Sequence, residues 1–131
     1  MQKIEKKPKP WGEEIWFAHT PFYAGKILKI KKGHRYSLQY HEKKQETQYI
    51  LEGKVKFTHG KTLKKLKEEI LHSGQKIDII PRTIHRAEAL THCVIFEVSS
   101  PELDDVVKIM DDYGRSGKGN NEKLDKKLSK S

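Results

Sequence analysis

Cysteine is nearly absent from this 131-residue chain: Cys93 stands alone, which excludes an intramolecular disulfide and any zinc site built from several thiolates. Long apolar runs are absent too. No stretch approaches the roughly 18 apolar residues of a membrane span, and no amino-terminal segment has signal-peptide character, so a cytoplasmic protein with no membrane partner is expected. Apolar residues make up only 34% of the chain and aromatics 8%. A modest core beneath a heavily charged surface follows, in one domain.

What the chain has in excess is positive charge, a net +9. Its distribution decides what it means. Residues 1–10 carry Lys3, Lys6, Lys7 and Lys9 against Glu5, and residues 116–131 carry a run of lysines against Glu122 and Asp125, so most of the excess lies at the two ends. The sequence therefore predicts an extended basic segment over 1–10, a folded body over 11–115 and a disordered Lys-rich tail over 116–131. A structured groove for nucleic acid is not expected from such a pattern.

Within the body, short runs rich in Ile, Tyr, Phe, Val and Thr alternate with turn residues: 14–19, 25–31, 36–40, 47–51, 54–59, 76–80 and 93–99. These read as strands. Residues 62–71 fit either helix or strand by spacing and are assigned to strands by context. One helix is expected, from Pro101, with Glu102, Asp104 and Asp105 at its amino terminus and Leu103, Val106, Val107 and Met110 as its apolar stripe. Many strands and one late helix make an all-β barrel or sandwich.

The chemistry concentrates in GHRYSLQYHEKKQETQYILEG, Gly33 to Gly53. Gln39 and His41 are two residues apart, so on a strand they leave the same face. The polar turn 42–45 would bring Glu46 back beside them, and His85, beyond Pro81, can supply a fourth group from a distant strand. Two imidazoles, a carboxylate and an amide oxygen suit one divalent metal ion: zinc first, with manganese, iron and nickel as alternatives. The remaining histidines read as exposed or hydrogen-bonded residues, with His34 the one placed near a barrel mouth.

Gly33, Gln39, His41, Glu46 and Gly53 fall on the spacing of the first cupin motif, and Gly74, Pro81 and His85 on the second. Ser37 to His41, His85-Arg86-Ala87-Glu88 and Asp111-Asp112-Tyr113-Gly114-Arg115 resemble the phosphomannose isomerase branch of that superfamily, and Trp11-Gly12 occupies the matching place at its start. Three positions depart from that branch: Lys44 replaces an Arg, Gln48 replaces a Trp, and the turn between Pro81 and His85 is one residue short.

The resemblance implies a single cupin jelly-roll barrel holding the metal through Gln39, His41, Glu46 and His85, and an aldose–ketose isomerase acting on a sugar or sugar phosphate. Arg35, Lys44 and Arg86 are the candidates for contacting that substrate. Read without the resemblance, Lys44 is a solvated turn residue, Arg86 a surface ion-pairing residue opposite His85, and Arg115 an exposed residue before the tail. No residue is assigned as the general base. The alternatives are a non-catalytic sugar-binding or regulatory cupin and an iron-dependent dioxygenase. Homodimerisation is expected by analogy with similar cupins.

Overall fold

Period-two patterning carries most of the chain into strands. The computed structural model describes residues 2–130, so Met1 and Ser131, the outer ends of the two terminal segments, lie outside the described residues. In chain order the elements are β1 (Glu5–Lys9), β2 (Gly12–His19), β3 (Ala24–Ile30), β4 (Leu38–Tyr40), β5 (Glu46–Glu52), β6 (Lys54–Gly60), β7 (Lys67–His72), β8 (Lys76–Ile79), β9 (Ile84–Ala89), β10 (Cys93–Ser99), β11 (Val107–Met110), β12 (Gly117–Lys118) and one helix, α1 (Glu122–Leu128). They form two six-stranded antiparallel sheets, ordered β1-β2-β3-β10-β5-β8 and β12-β11-β4-β9-β6-β7. This is the all-β jelly-roll expected of a cupin.

The core lies between the sheets and is filled by the inward residues of each strand. Leu28 and Ile30 on β3, Ile50 on β5, Val55 and Phe57 on β6 and Ile95 on β10 are almost fully buried, each contributing about 1.5–3 kcal/mol of apolar transfer free energy. The same parity puts charged residues inside. Lys26 shares the inward face of β3 with Leu28 and Ile30, Glu97 shares that of β10 with Cys93 and Ile95, and Glu46 and Gln48 share that of β5 with Ile50. Between β5 and β6 the chain reverses at Gly53, whose φ of 92° and close approach to the His92 carbonyl leave no room for a side chain.

Two expectations are corrected here. The segment after Pro101 is a turn leading into β11, not a helix. Its acidic residues have other work: the Asp105 carboxylate accepts the backbone N–H groups of Glu42, Lys43 and Lys44 at 3.1, 2.7 and 3.0 Å, and β11 gains a ladder with β4. The tail is not disordered as expected, because β12 pairs with β11 and α1 docks on β1 through Lys7–Glu122 and Lys9–Asp125. The basic segment 1–10, expected to be extended, carries the strand β1, paired with β2 over Glu5–Lys9. Ambiguous residues 62–71 split into a single 3-10 turn at Leu63–Lys65 and the strand β7.

Candidate metal centre

His41 follows β4, Glu46 opens β5 and His85 lies on β9. All three are buried, and their ligand atoms lie within 4.8 Å of one another. The backbone orients both rings. His41 Nδ1 sits 2.6 Å from the Asp105 carbonyl oxygen and His85 Nδ1 2.9 Å from that of Thr83. A carbonyl oxygen only accepts, so each Nδ1 carries the proton and each Nε2 points its lone pair the other way.

Both lone pairs meet Glu46. Its Oε1 is 2.8 Å from His41 Nε2 and 3.4 Å from His85 Nε2. Burial works against charge on Glu46, but the Lys44 ammonium and the surrounding hydrogen bonds hold its carboxyl well below the usual carboxylate range. Burial also lowers His41 below an ordinary imidazole, outweighing the pull of Glu46. An ionised carboxylate and lone pairs directed at one point need a positive charge between them. A proton can serve one such contact; a metal ion serves all three. His85 Nε2 is fully buried without a hydrogen-bond partner among the described residues, an orphan that a ligand bond would satisfy. The donor set therefore fits a divalent cation.

Gln39 stands directly opposite His85 in the β4–β9 register, a position that places both side chains on one face. It lines the central cavity, and its Oε1 accepts from Ser37 Oγ at 2.7 Å.

Beside the triad runs a chain of buried, alternating charges. Glu14 meets Lys26 at 3.0 Å, Lys26 reaches Glu97 at 3.9 Å, Glu97 meets Lys44 at 2.9 Å, and Lys44 reaches Glu46 at 4.0 Å. Burial disfavours the Lys44 ammonium, yet Glu46 and Glu97 more than compensate and raise it above its ordinary value. Glu97 moves the other way from Glu46: burial and the neighbouring Glu46 charge push its carboxyl up. Gln48 bridges the carboxylates, its Nε2 facing Glu46 Oε2 at 3.2 Å and Glu97 Oε1 at 3.4 Å, with the Tyr36 hydroxyl a third acceptor at 3.2 Å. Lys44, Gln48 and Glu97 line the same cavity as Gln39 and His41, a space of about 40 Å³, room for only a few water molecules.

Of the residues expected to touch substrate, Lys44 alone lines the cavity, and it is buried rather than solvated. Arg35 is spent on Asp112, through Nε at 2.8 Å and Nη2 at 3.0 Å. Arg86 is not a surface ion-pairing residue: it is buried, donating to the carbonyls of Tyr36 at 2.8 Å and Met110 at 3.1 Å, where it ties β9 to β11. Arg115 is buried as well, held by Asp111 and Asp125. His34 hydrogen-bonds the Tyr113 hydroxyl at 2.6 Å. Tyr36 is core, whereas Tyr49 and Phe96 stand on the outer wall.

Residues that sequence reasoning passed over include Asp105, Glu14, Lys26 and Glu97. For Lys26 and Glu97 a signal existed, since each falls on the inward parity of a strand whose neighbours two apart are apolar. For Asp105 none did, because its partners lie some sixty positions earlier.

Structures with known folds agree with this architecture. The chain is similar to the capsular polysaccharide assembling protein CapF from Staphylococcus aureus, with a TM-score of 0.72, 16% identity, and 84% of this chain against 32% of that one covered. It is similar to KdgF from Halomonas sp., with a TM-score of 0.66, 21% identity and coverage of 79% and 90%. It is also similar to oxalate decarboxylase from Bacillus subtilis, with a TM-score of 0.71, 14% identity and coverage of 82% and 30%; that enzyme has Mn(II) centres. The chain thus spans about a third of the length of CapF and of the decarboxylase. No curated protein matches it significantly. The family described as Mannose-6-phosphate isomerase C-terminal matches residues 1–111, and by that match over most of its length this chain belongs to that family, on a cupin fold.

Proposed function

We propose that the protein is a metal-dependent aldose–ketose isomerase acting on a sugar phosphate of the mannose 6-phosphate type, with His41, Glu46, His85 and Gln39 holding one zinc ion. The observation that carries this reading is the convergence of two backbone-oriented imidazole lone pairs on the ionised Glu46, beside a cavity that His41 lines together with a second carboxylate, Glu97. The ion, when bound, would polarise the substrate carbonyl. Glu97 is assigned as the base that the motifs left unnamed: it removes the C2 proton of the aldose and returns it to C1, while a proton passes from O2 to O1. Lys44 steadies the charge on Glu97, and Gln48 positions its carboxylate. A cytoplasmic setting is part of the proposal.

Metal analysis and a coupled assay of mannose 6-phosphate conversion test it. Glu97→Gln lowers kcat by at least about a hundredfold while metal content and fold persist; an unchanged kcat removes Glu97 from the mechanism. A second reading, a non-catalytic sugar-binding cupin, is favoured by the smallness of the cavity, about 40 Å³, and by Lys44, Gln48 and the shortened turn. Metal-loaded protein that binds sugar phosphates and converts none of them would establish that reading instead.

The outer face of the first sheet carries an apolar row that crosses four strands, Ile15–Ile27–Phe96–Tyr49, flanked by Val98 and Leu51. A second copy placed about a two-fold axis would cover the same row on both subunits, so homodimerisation belongs to the proposal. Sedimentation equilibrium giving the monomer mass would refute it.

A further inference from the structure

The cavity that His41 of the triad lines is also lined by Lys9, Lys108 and Arg115. All three are more than nine-tenths buried. Arg115 is gripped by Asp111, Nε to Oδ2 at 3.0 Å and Nη2 to Oδ1 at 2.8 Å, from the same β11-to-β12 turn. The second anion comes from elsewhere. Asp125, the one buried residue of α1, places Oδ2 2.8 Å from Lys9 Nζ and Oδ1 3.1 Å from Arg115 Nη1. Lys108 has no ion pair among the described residues; its ammonium donates to the Gly119 carbonyl oxygen, and burial with Arg115 and Lys9 nearby depresses it. Three buried cations thus face two carboxylates, with Glu14 nearby but matched by Lys26. One positive charge is left over.

The segment that supplies Asp125 is joined to the barrel by the two-residue pairing of β12, by the Gly119 N–H on the Val106 carbonyl and by Asn120, which donates to the Leu103 carbonyl and to Asp104. It leaves the barrel through Gly114, Gly117 and Gly119, all at positive φ and with open space where a side chain would stand. α1 is seven residues long, far below the length at which a helix holds itself together. Ion pairs tie it to the body: Lys7–Glu122 at 2.6 Å, Lys9–Asp125 and Arg115–Asp125.

We propose that Lys9, Lys108 and Arg115 form a binding site for the dianion of a phosphate monoester, and that Asp125 occupies it as an internal stand-in, so that the strap 117–130 swings out when ligand enters. Replacing one carboxylate by a doubly charged phosphate cancels the residual charge, and it gives Lys108 the anionic partner that Gly119 only approximates. Removal of the strap also widens a cavity too small for a hexose phosphate. The inference rests on the sugar-phosphate reading for its ligand class, but its test reads binding alone.

Inorganic phosphate, mannose 6-phosphate and mannose are titrated by calorimetry into the full-length protein and into Asp125→Asn. The variant binds both phosphates at least about tenfold more tightly, since the apparent affinity of a site rises with the fraction of molecules in which it is open. Mannose shows no such gain, and adding Lys108→Met to Asp125→Asn abolishes the gain, which separates this site from phosphate bound at the metal. In the unmodified protein, saturating inorganic phosphate speeds amide hydrogen exchange over Leu124–Ser129; this measurement decides the matter if the variant does not fold. Equal phosphate affinity in both proteins, no binding in either, or unchanged exchange at saturation overturns the proposal. Phosphate binding as described without any isomerase activity would sink the isomerase reading and leave this site standing.

Discussion

The two ends of the central cavity are built by opposite means. At the metal end, His41 and His85 are aimed by backbone carbonyls and Glu46 by its strand, so the geometry exists before any ion arrives. At the other end, Lys9 and Arg115 share a carboxylate borrowed from a short helix, and Lys108 has no ion pair among the described residues. A site made from the sheet is preorganised, whereas a site closed by an ion-paired strap is exchangeable. The difference teaches where to look for affinity and where to look for gating.

The largest effect that could break the comparison is at the rigid end. His85→Ala should lower metal affinity by at least about a hundredfold, the upper range seen for losing even a supporting partner of a ligand, while circular dichroism shows the sheets intact; elemental analysis of purified protein reads it. Retained stoichiometric metal would mean that the triad is a hydrogen-bonded cluster and no more rigid in purpose than the far end. Next is the charge chain between the ends. Lys44→Met leaves Glu46 and Glu97 buried without their shared cation and should cost about 3–5 kcal/mol, seen in urea unfolding, with part of the loss recovered when Glu97→Gln is added. A loss below about 1 kcal/mol, the range of exposed pairs, would show that water reaches the chain.

The smallest effect is on pH dependence. Burial opposes charge on Glu14, but Lys26, Lys9 and the Trp16 indole hold its carboxyl down at about 2, against an ordinary 4.5. A carboxyl depressed on folding stabilises the native state above its unfolded value and loses that contribution as pH falls through the folded one. Stability should therefore decline between about pH 4.5 and pH 2, and Glu14→Gln should flatten that limb. If melting curves of the variant and the parent run parallel there, Glu14 is not tied to Lys26 in solution.

The barrel was legible because strands announce themselves locally: alternation in residues such as Ile50, Ile95 and Leu28 needs no knowledge of partners. The triad was legible for the same reason, since the two-residue step after Gln39 and the short turn before Glu46 confine those side chains to one face. The helix expected after Pro101 was not there because Asp105 serves the loop 42–44 and Val107 and Met110 pair with β4, and both partners lie outside any local window. The tail was misread for a complementary reason. Its lysines gave it a solvated composition, while the residues that dock it, Asp125 and Glu122, match lysines more than a hundred positions away.

The charge chain from Glu14 to Glu46 also constrains how this sequence can drift. Its three inner members each face two opposite charges and its two ends one, so a change at any single member leaves a neighbouring charge short of a partner in the interior. Paired replacements, such as Lys26 together with Glu14, keep the balance. Over evolutionary time these five positions are expected to change in couples, and a comparison of natural variants should find them travelling together.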